Sequence, residues 1–162
     1  MTREPGGGGA PRKISAGLLL FRRVPGTFEV LLVHPGGPFW TKKDDAAWSI
    51  PKGEIADGEA PFDAAVREFE EEMGTAVSGD FIPLTACRQA GGKLVLAWAV
   101  EADFDPSRLR SNTFTMEWPP RSGRLRAFPE IDRAAWFPLD VARQKVVRAQ
   151  QGLLDDLESR LV

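Results

Sequence analysis

The sequence predicts a single layered α/β domain, either α+β or an α/β/α sandwich, and three observations carry that expectation. Apolar segments of strand character come first, a short amphipathic helix follows, further strands succeed it, and a helical pattern closes the chain. At 162 residues the chain is long enough for one domain with a substantial core and too short for two. No internal repeat and no linker to a second domain interrupts residues 14–162.

Ile14 to Arg22 is nearly continuous in apolar residues, as in a strand covered on both faces. The turn-forming VPGT leads into FEVLLVH, Phe28 to His34, which reads as the returning strand of a hairpin. Pro35 to Trp48 is rich in Gly, Pro and charge and reads as a loop, followed by a short extended WSIP. A helix is expected from Pro61, where proline suits a first turn, to Met73, with Gly74 as its stop. DFIPLTACRQ and KLVLAWAVEADF are strand candidates around an AGG turn. Short strands are expected near Thr113–Trp118 and Arg133–Phe137, and a helix from Leu139 to Leu161 that Gly152 could break.

Composition narrows the function classes. Hydrophobic content of 43% and charged content of 27% are ordinary for a soluble globular protein. A net charge of −2 gives no global attraction to nucleic acid or to an anionic membrane, so any phosphate binding must be local. The longest apolar run, ISAGLLLF, is far short of the roughly 20 residues that span a bilayer. Residues 1–13, MTREPGGGGAPRK, lack the apolar centre of a signal peptide and read as a flexible Gly-rich tail; the expected location is cytoplasmic. Cys87 is the sole cysteine, which rules out an internal disulfide.

The most informative segment is SIPKGEIADGEAPFDAAVREFEEEMGT, Ser49 to Thr75. Glu59, Glu68, Glu70, Glu71 and Glu72 crowd together with Arg67 as the cation among them. On a helix advancing about 100° per residue, Phe62, Val66, Phe69 and Met73 form an apolar stripe, and Glu68, Glu71 and Glu72 project from roughly the opposite side. Like charges at such spacing cost only about 0.2–0.5 kcal/mol per pair, so a solvated acidic face satisfies the pattern. A platform for a hard divalent cation satisfies it as well, because Mg²⁺ joins a few carboxylates to a substrate's phosphates. Gly53 and Gly58 allow close backbone approach, and Lys52 adds a positive charge beside them.

From Gly53 to Thr75 the sequence resembles the signature of the Nudix hydrolases. Gly53, Glu59, Arg67, Glu68, Phe69, Glu71, Glu72 and Gly74 stand at the signature's positions. Seven fixed letters match a given start by chance with odds of about 10⁻⁸ to 10⁻⁹. Thr75 departs from the usual aliphatic residue. The resemblance implies the family's α/β/α sandwich with a mixed central sheet over residues 14–162. It also implies Mg²⁺ or Mn²⁺ held by Glu68, Glu71 and Glu72, with a backbone carbonyl near Gly53, and Glu59 and Arg67 as supports that orient the loop and the Glu68 carboxylate.

The implied reaction is hydrolysis of a diphosphate linkage in a small nucleotide, a dinucleoside polyphosphate or nucleoside triphosphate being favoured. Candidates for the base that takes a proton from water are Glu71 and Glu68 in the helix and Glu117 and Glu130 outside it, Glu130 being favoured of the latter two. Lys52, Lys42 and Arg124 are candidates for phosphate contacts, and Trp48 or Trp40 for stacking on a base. His34, the lone histidine, reads as structural. A catalytically silent nucleotide-binding or regulatory module and an RNA 5′-pyrophosphohydrolase are the rival readings, the latter disfavoured by the lack of a long basic stripe. An isomerase on the same fold would need a reactive cysteine and histidine ligands. A homodimer is possible by resemblance, and no membrane partner is expected.

Overall fold

Alternate residues of β1 (Ile14–Val24) face opposite ways, and both directions are apolar. Ala16, Leu18 and Leu20 enter one buried cluster; Leu19 and Phe21 enter the other. A strand buried on both faces is the centre of a three-layer domain. The computed structural model describes residues 13–161, so the expected N-terminal tail lies outside the described residues except for Lys13, which is exposed.

The central sheet runs β4 (Phe81–Pro83), β6 (Leu94–Glu101), β1, β2 (Thr27–Pro35), β9 (Ile131–Pro138). Two short strands flank this path: β3 (Lys52–Glu54) pairs with β1, and β5 (Cys87–Arg88) pairs with β6. β1 and β6 are parallel and the other pairs antiparallel, which makes the sheet mixed as expected. β7 (Thr113–Glu117) and β8 (Leu125–Pro129) form a separate hairpin. β8 forms where the arginine-rich pattern of residues 121–126 predicts a loop. DFIPLTACRQ supplies two short strands rather than one, because the pairing with β6 lapses after Leu84, whose N–H still donates to the Ala97 carbonyl at 3.0 Å.

Helix α1 (Pro61–Met73) covers one face through Ala64, Ala65, Phe69 and Met73. Pro61 occupies its first turn, and Gly74, at φ 75°, closes it with its N–H donating to the Glu70 carbonyl at 2.8 Å. The buried stripe differs from the one expected. Ala65, Phe69 and Met73 form its centre, and Phe62 stands at the flank, edge-on to Phe81 and Trp98. Two alanines let the helix backbone approach the sheet closely, a contribution that counting only large apolar residues overlooks. Glu68 and Glu72 continue the row that begins at Ala64, so they border the buried face instead of standing opposite it.

α2 (Leu139–Lys145) and α3 (Gln151–Leu161) cover the other face through Leu139, Ala142, Leu153, Leu154 and Leu157. The helical tail breaks at Val146–Val147, and Gly152 lies inside α3. The break is set by Trp48. Its backbone N–H donates to the Lys145 carbonyl at 2.9 Å, and its carbonyl accepts from Val147 N–H at 2.8 Å, which holds the chain extended there.

Trp48 is 4% exposed, packs edge-on against His34 and Phe137, and donates from Nε1 to Asp44 at 2.8 Å. Replacing it by alanine removes a large buried ring, and Trp48→Ala is expected to destabilise the protein by about 3–5 kcal/mol in denaturant unfolding. A loss under about 1 kcal/mol would mean that the ring is not a core element.

Candidate active site

The segment after Ile50 is clamped to β1. Leu18 N–H donates to the Pro51 carbonyl at 3.1 Å, and Gly53 pairs with Ala16 in the β1–β3 ladder. This holds the edge of β3 against α1. A Cβ on Gly53 would lie 2.0 Å from the carboxyl carbon of Glu68, so only glycine admits that side chain. One residue earlier, Lys52 N–H donates to Glu72 Oε2 at 3.2 Å. The two glutamates of the Ala64 row therefore meet the backbone of consecutive β3 residues.

Arg67 ties the cluster together. It makes a bidentate pair with Glu59, Nε to Oε2 at 2.8 Å and Nη2 to Oε1 at 2.9 Å. Its Nη1 donates to Glu68 at 3.0 Å and to Glu71 at 3.1 Å, and its Nη2 reaches the Glu54 carbonyl at 3.3 Å. Glu59 also accepts from Ala56 N–H at 3.1 Å, which fixes the loop between β3 and α1. The Arg67 guanidinium, with that backbone N–H, holds the Glu59 carboxyl down to about 2. Arg67 is in turn stabilised in its charged form, chiefly by Glu59.

Burial acts the other way on Glu68 and Glu72. Desolvation raises the Glu68 carboxyl despite its pairing with Arg67. Glu72 is pushed up to about 8, first by burial and then by repulsion from Glu68, with Glu130 adding to it; the Lys52 N–H and ammonium oppose the shift. Lys52 itself is lowered by burial and by the neighbouring Lys93.

Glu72 and Lys52 open into a cleft of about 490 Å³. Glu130 reaches the same cleft from the turn between β8 and β9, where β2 and β9 shift register after His34. Two hydrogen bonds pin the Glu130 backbone: its carbonyl accepts from Gly36 N–H at 2.9 Å and its N–H donates to the Asn112 carbonyl at 2.8 Å. Val33, Ile131, Val147 and Ala149 supply an apolar lining, and Trp40 stands at the cleft with Lys43 Nζ 4.9 Å from its ring centroid.

The structure thus brings Lys52, Glu72 and Glu130 to one cleft, with Gly53, Glu59, Arg67, Glu68 and Glu71 contiguous through α1 and β3. It does not bring Trp48, Lys42 or Arg124 there. Trp48 is buried beneath α2, because its ring fills the core between His34 and Phe137. Lys42 is exposed in the Pro35–Ala47 loop, and Arg124 is exposed at the start of β8. Glu117 accepts from the N–H groups of Arg121 and Gly123 and closes the β7–β8 turn. His34 is fully buried between Asp132 and the Lys43 carbonyl, which anchors the loop carrying Trp40. Sequence reasoning missed Gln89, Arg148 and Gln150, which line the cleft from the residue after β5 and the turn before α3. Isolated glutamines carry no motif, and only the tertiary fold brings them together.

Among the described residues no three acidic, cysteine or histidine side chains converge as a ready-made metal centre. The donor chemistry nevertheless fits a hard divalent cation such as Mg²⁺ or Mn²⁺. Glu68 and Glu72 are adjacent carboxylates raised by burial, Glu130 adds repulsion, and a cation at their oxygens would offset both.

The family model described as a NUDIX domain matches residues 11–157, and the chain belongs to that family. An 8-oxo-(d)GTP phosphatase of Mycolicibacterium smegmatis is 32% identical over 127 residues, covering 75% of this chain and 31% of that protein. Nudix hydrolase 7 of Arabidopsis thaliana is 36% identical over 81 residues, covering 50% of this chain and 27% of that protein. The chain spans less than a third of the length of these curated relatives. Among solved structures, the NUDIX domain of Shewanella oneidensis NrtR complexed with ADP ribose matches with a TM-score of 0.65 at 16% identity, over 99% of this chain and 94% of that one. A C. elegans Ap4A hydrolase matches with a TM-score of 0.60 at 22% identity, over 92% and 97% respectively. These two likenesses bear on the fold.

The raised Glu72 carboxyl makes stability depend on pH. With a folded value of about 8 against an ordinary 4.5, the folded state keeps a proton that the unfolded chain releases between those limits. Its contribution is full below pH 4.5 and is lost as pH rises through 8, at up to about 1.4 kcal/mol per pH unit. In the absence of divalent cations, Glu72→Gln is expected to unfold at a higher temperature than the parent at pH 8 and to converge with it at pH 4.5. Identical thermal midpoints at both pH values would contradict the burial of a carboxylate there.

Proposed function

We propose that this chain is a divalent-cation-dependent hydrolase of phosphoric anhydride bonds in small nucleotides. The observation that carries this reading is the acidic row Glu68–Glu72, locked to β3, whose Glu72 opens into a cleft that also holds Lys52, Arg148, the Trp40 ring and a second carboxylate, Glu130. Family membership and relatives named as nucleotide phosphatases and hydrolases support it. Glu68, Glu71 and Glu72 would hold Mg²⁺ or Mn²⁺, with a backbone carbonyl near Gly53. When bound, the cation neutralises phosphate oxygens and makes water a better nucleophile at neutral pH.

The chain's own groups supply the rest. Lys52 and Arg148 are cleft cations that a polyphosphate meets. Trp40 offers an indole face to the base, oriented by its contact with Lys43. Arg67 holds Glu68 and Glu71 in place and does not enter the cleft lining. Glu130, whose carboxylate is not engaged by Arg67, takes the proton from water as its oxygen bonds to phosphorus and the anhydride P–O bond breaks to release a phosphate-bearing product. Dinucleoside polyphosphates and nucleoside triphosphates suit a cleft with one aromatic face and cations beside the acidic row. Retention of all the box glutamates weighs against a silent binding module.

The test is product release from a panel of nucleoside triphosphates, dinucleoside polyphosphates and ADP-sugars with Mg²⁺ or Mn²⁺. Turnover of at least one class is expected, and silence across the panel would overturn the reading. On the best substrate, Glu130→Gln is expected to lower kcat by about 10²- to 10⁴-fold with an unchanged unfolding midpoint. Full activity in that variant would assign the proton transfer to a helix glutamate.

A further inference from the structure

Gln150 is fully buried at the cleft wall, and its amide orientation is dictated by the backbone. Ile50 N–H can only donate, and it meets Gln150 Oε1 at 3.0 Å. Gln150 Nε2 therefore points the other way, donating to Ser49 Oγ at 3.0 Å and to Gln89 Oε1 at 3.1 Å. Both of its hydrogens are engaged. Ser49 is consistent with this polarity, since its hydroxyl donates to the Ile50 carbonyl at 2.7 Å.

The chain of polarity ends at Gln89. Its oxygen is an acceptor for Gln150, so its Nε2 is the free end, a donor that makes no hydrogen bond among the described residues. The backbone at Gln89 is also held: its N–H donates to the Lys93 carbonyl at 2.7 Å and its carbonyl accepts from Gly92 N–H at 3.0 Å. Gln89 is half-buried and lines the cleft beside Ala90, Val147 and Ala149, so its amide is set in an apolar stretch of the wall. A neutral donor held at one point of the cleft wall discriminates by what the ligand places opposite it.

Resting on the proposed nucleotide hydrolysis, we propose that Gln89, set by the Ile50–Gln150 relay, reads the exocyclic position of the base and favours an oxo group over an amino group. A carbonyl accepts from Gln89 Nε2; an amino group in its place sets donor against donor. A phosphate oxygen is the less suited occupant, since Lys52 and Arg148 supply full charge to the polyphosphate in the same cleft.

The test compares 6-oxopurine and 6-aminopurine nucleotides of equal phosphate number, by kcat/KM and by calorimetric binding of their non-hydrolysable analogues. The parent is expected to prefer the oxo base by about 10-fold. Gln89→Glu keeps an acceptor for Gln150 but presents a second acceptor to the cleft, and is expected to reverse the preference. Gln89→Leu, which removes the relay's end, is expected to bring the ratio near 1. An equal loss for both bases in Gln89→Glu, or a parent preference for the amino base, would overturn the inference and leave the hydrolase reading intact. Neither turnover nor binding of any nucleotide by the parent would overturn both together.

Discussion

The placement of two glutamates against the edge of β3 is the constraint on which the site depends. A carboxylate that borders a buried face loses hydration, and the protein compensates with a backbone N–H from Lys52 and a guanidinium from Arg67. The compensation is incomplete: Glu72 is left well above the ordinary carboxylate range and Glu68 is raised too. A fold selected for stability alone would place polar, uncharged or well-packed apolar groups here. A pair of desolvated carboxylates, one of them opening into a cleft, suits a divalent cation.

The surrounding fold serves that placement. β1 is buried on both faces and paired along both edges: β6 runs beside Ile14–Phe21 on one, while the other holds β3 at Ser15–Gly17 and then β2 at Phe21–Val24. The second wall of the cleft comes from the far end of the chain. Trp48 keeps Val146–Val147 extended, and this delivers Gln150 to Ile50 and Ser49. The acidic wall is thus organised locally in sequence, whereas the opposite wall depends on contacts about a hundred residues apart.

That difference explains how much was legible beforehand. The first hairpin, the start and stop of α1, and the cluster of Glu59, Arg67, Glu68, Glu71 and Glu72 all follow from short-range pattern, turn chemistry and the box spacing. The buried face of α1 was misplaced because its two alanines pack as effectively as larger residues when a helix sits close to a sheet. Trp48 is a stacking candidate in the sequence, with core packing the commoner fate of such a ring, and burial decides it for the core; Trp40, eight positions earlier in an irregular loop, is the ring that stands at the cleft. The sequence favours Glu130 over Glu117 only for its place before the last strand, and the fold separates them: Glu130 stands at the register shift after His34 and reaches the cleft, whereas Glu117 closes the β7–β8 turn. The break at Val146 and the Gln89–Gln150 pair arise from tertiary contacts that leave no local signal.

The most direct measurement is the binding of Mn²⁺, followed by its electron paramagnetic resonance signal and by anomalous scattering from soaked crystals. The account predicts a saturable site at the Glu68, Glu71 and Glu72 carboxylates, weakened at least 10-fold in Glu68→Gln. Mn²⁺ that stays free in solution, or that binds equally well to that variant, would contradict it.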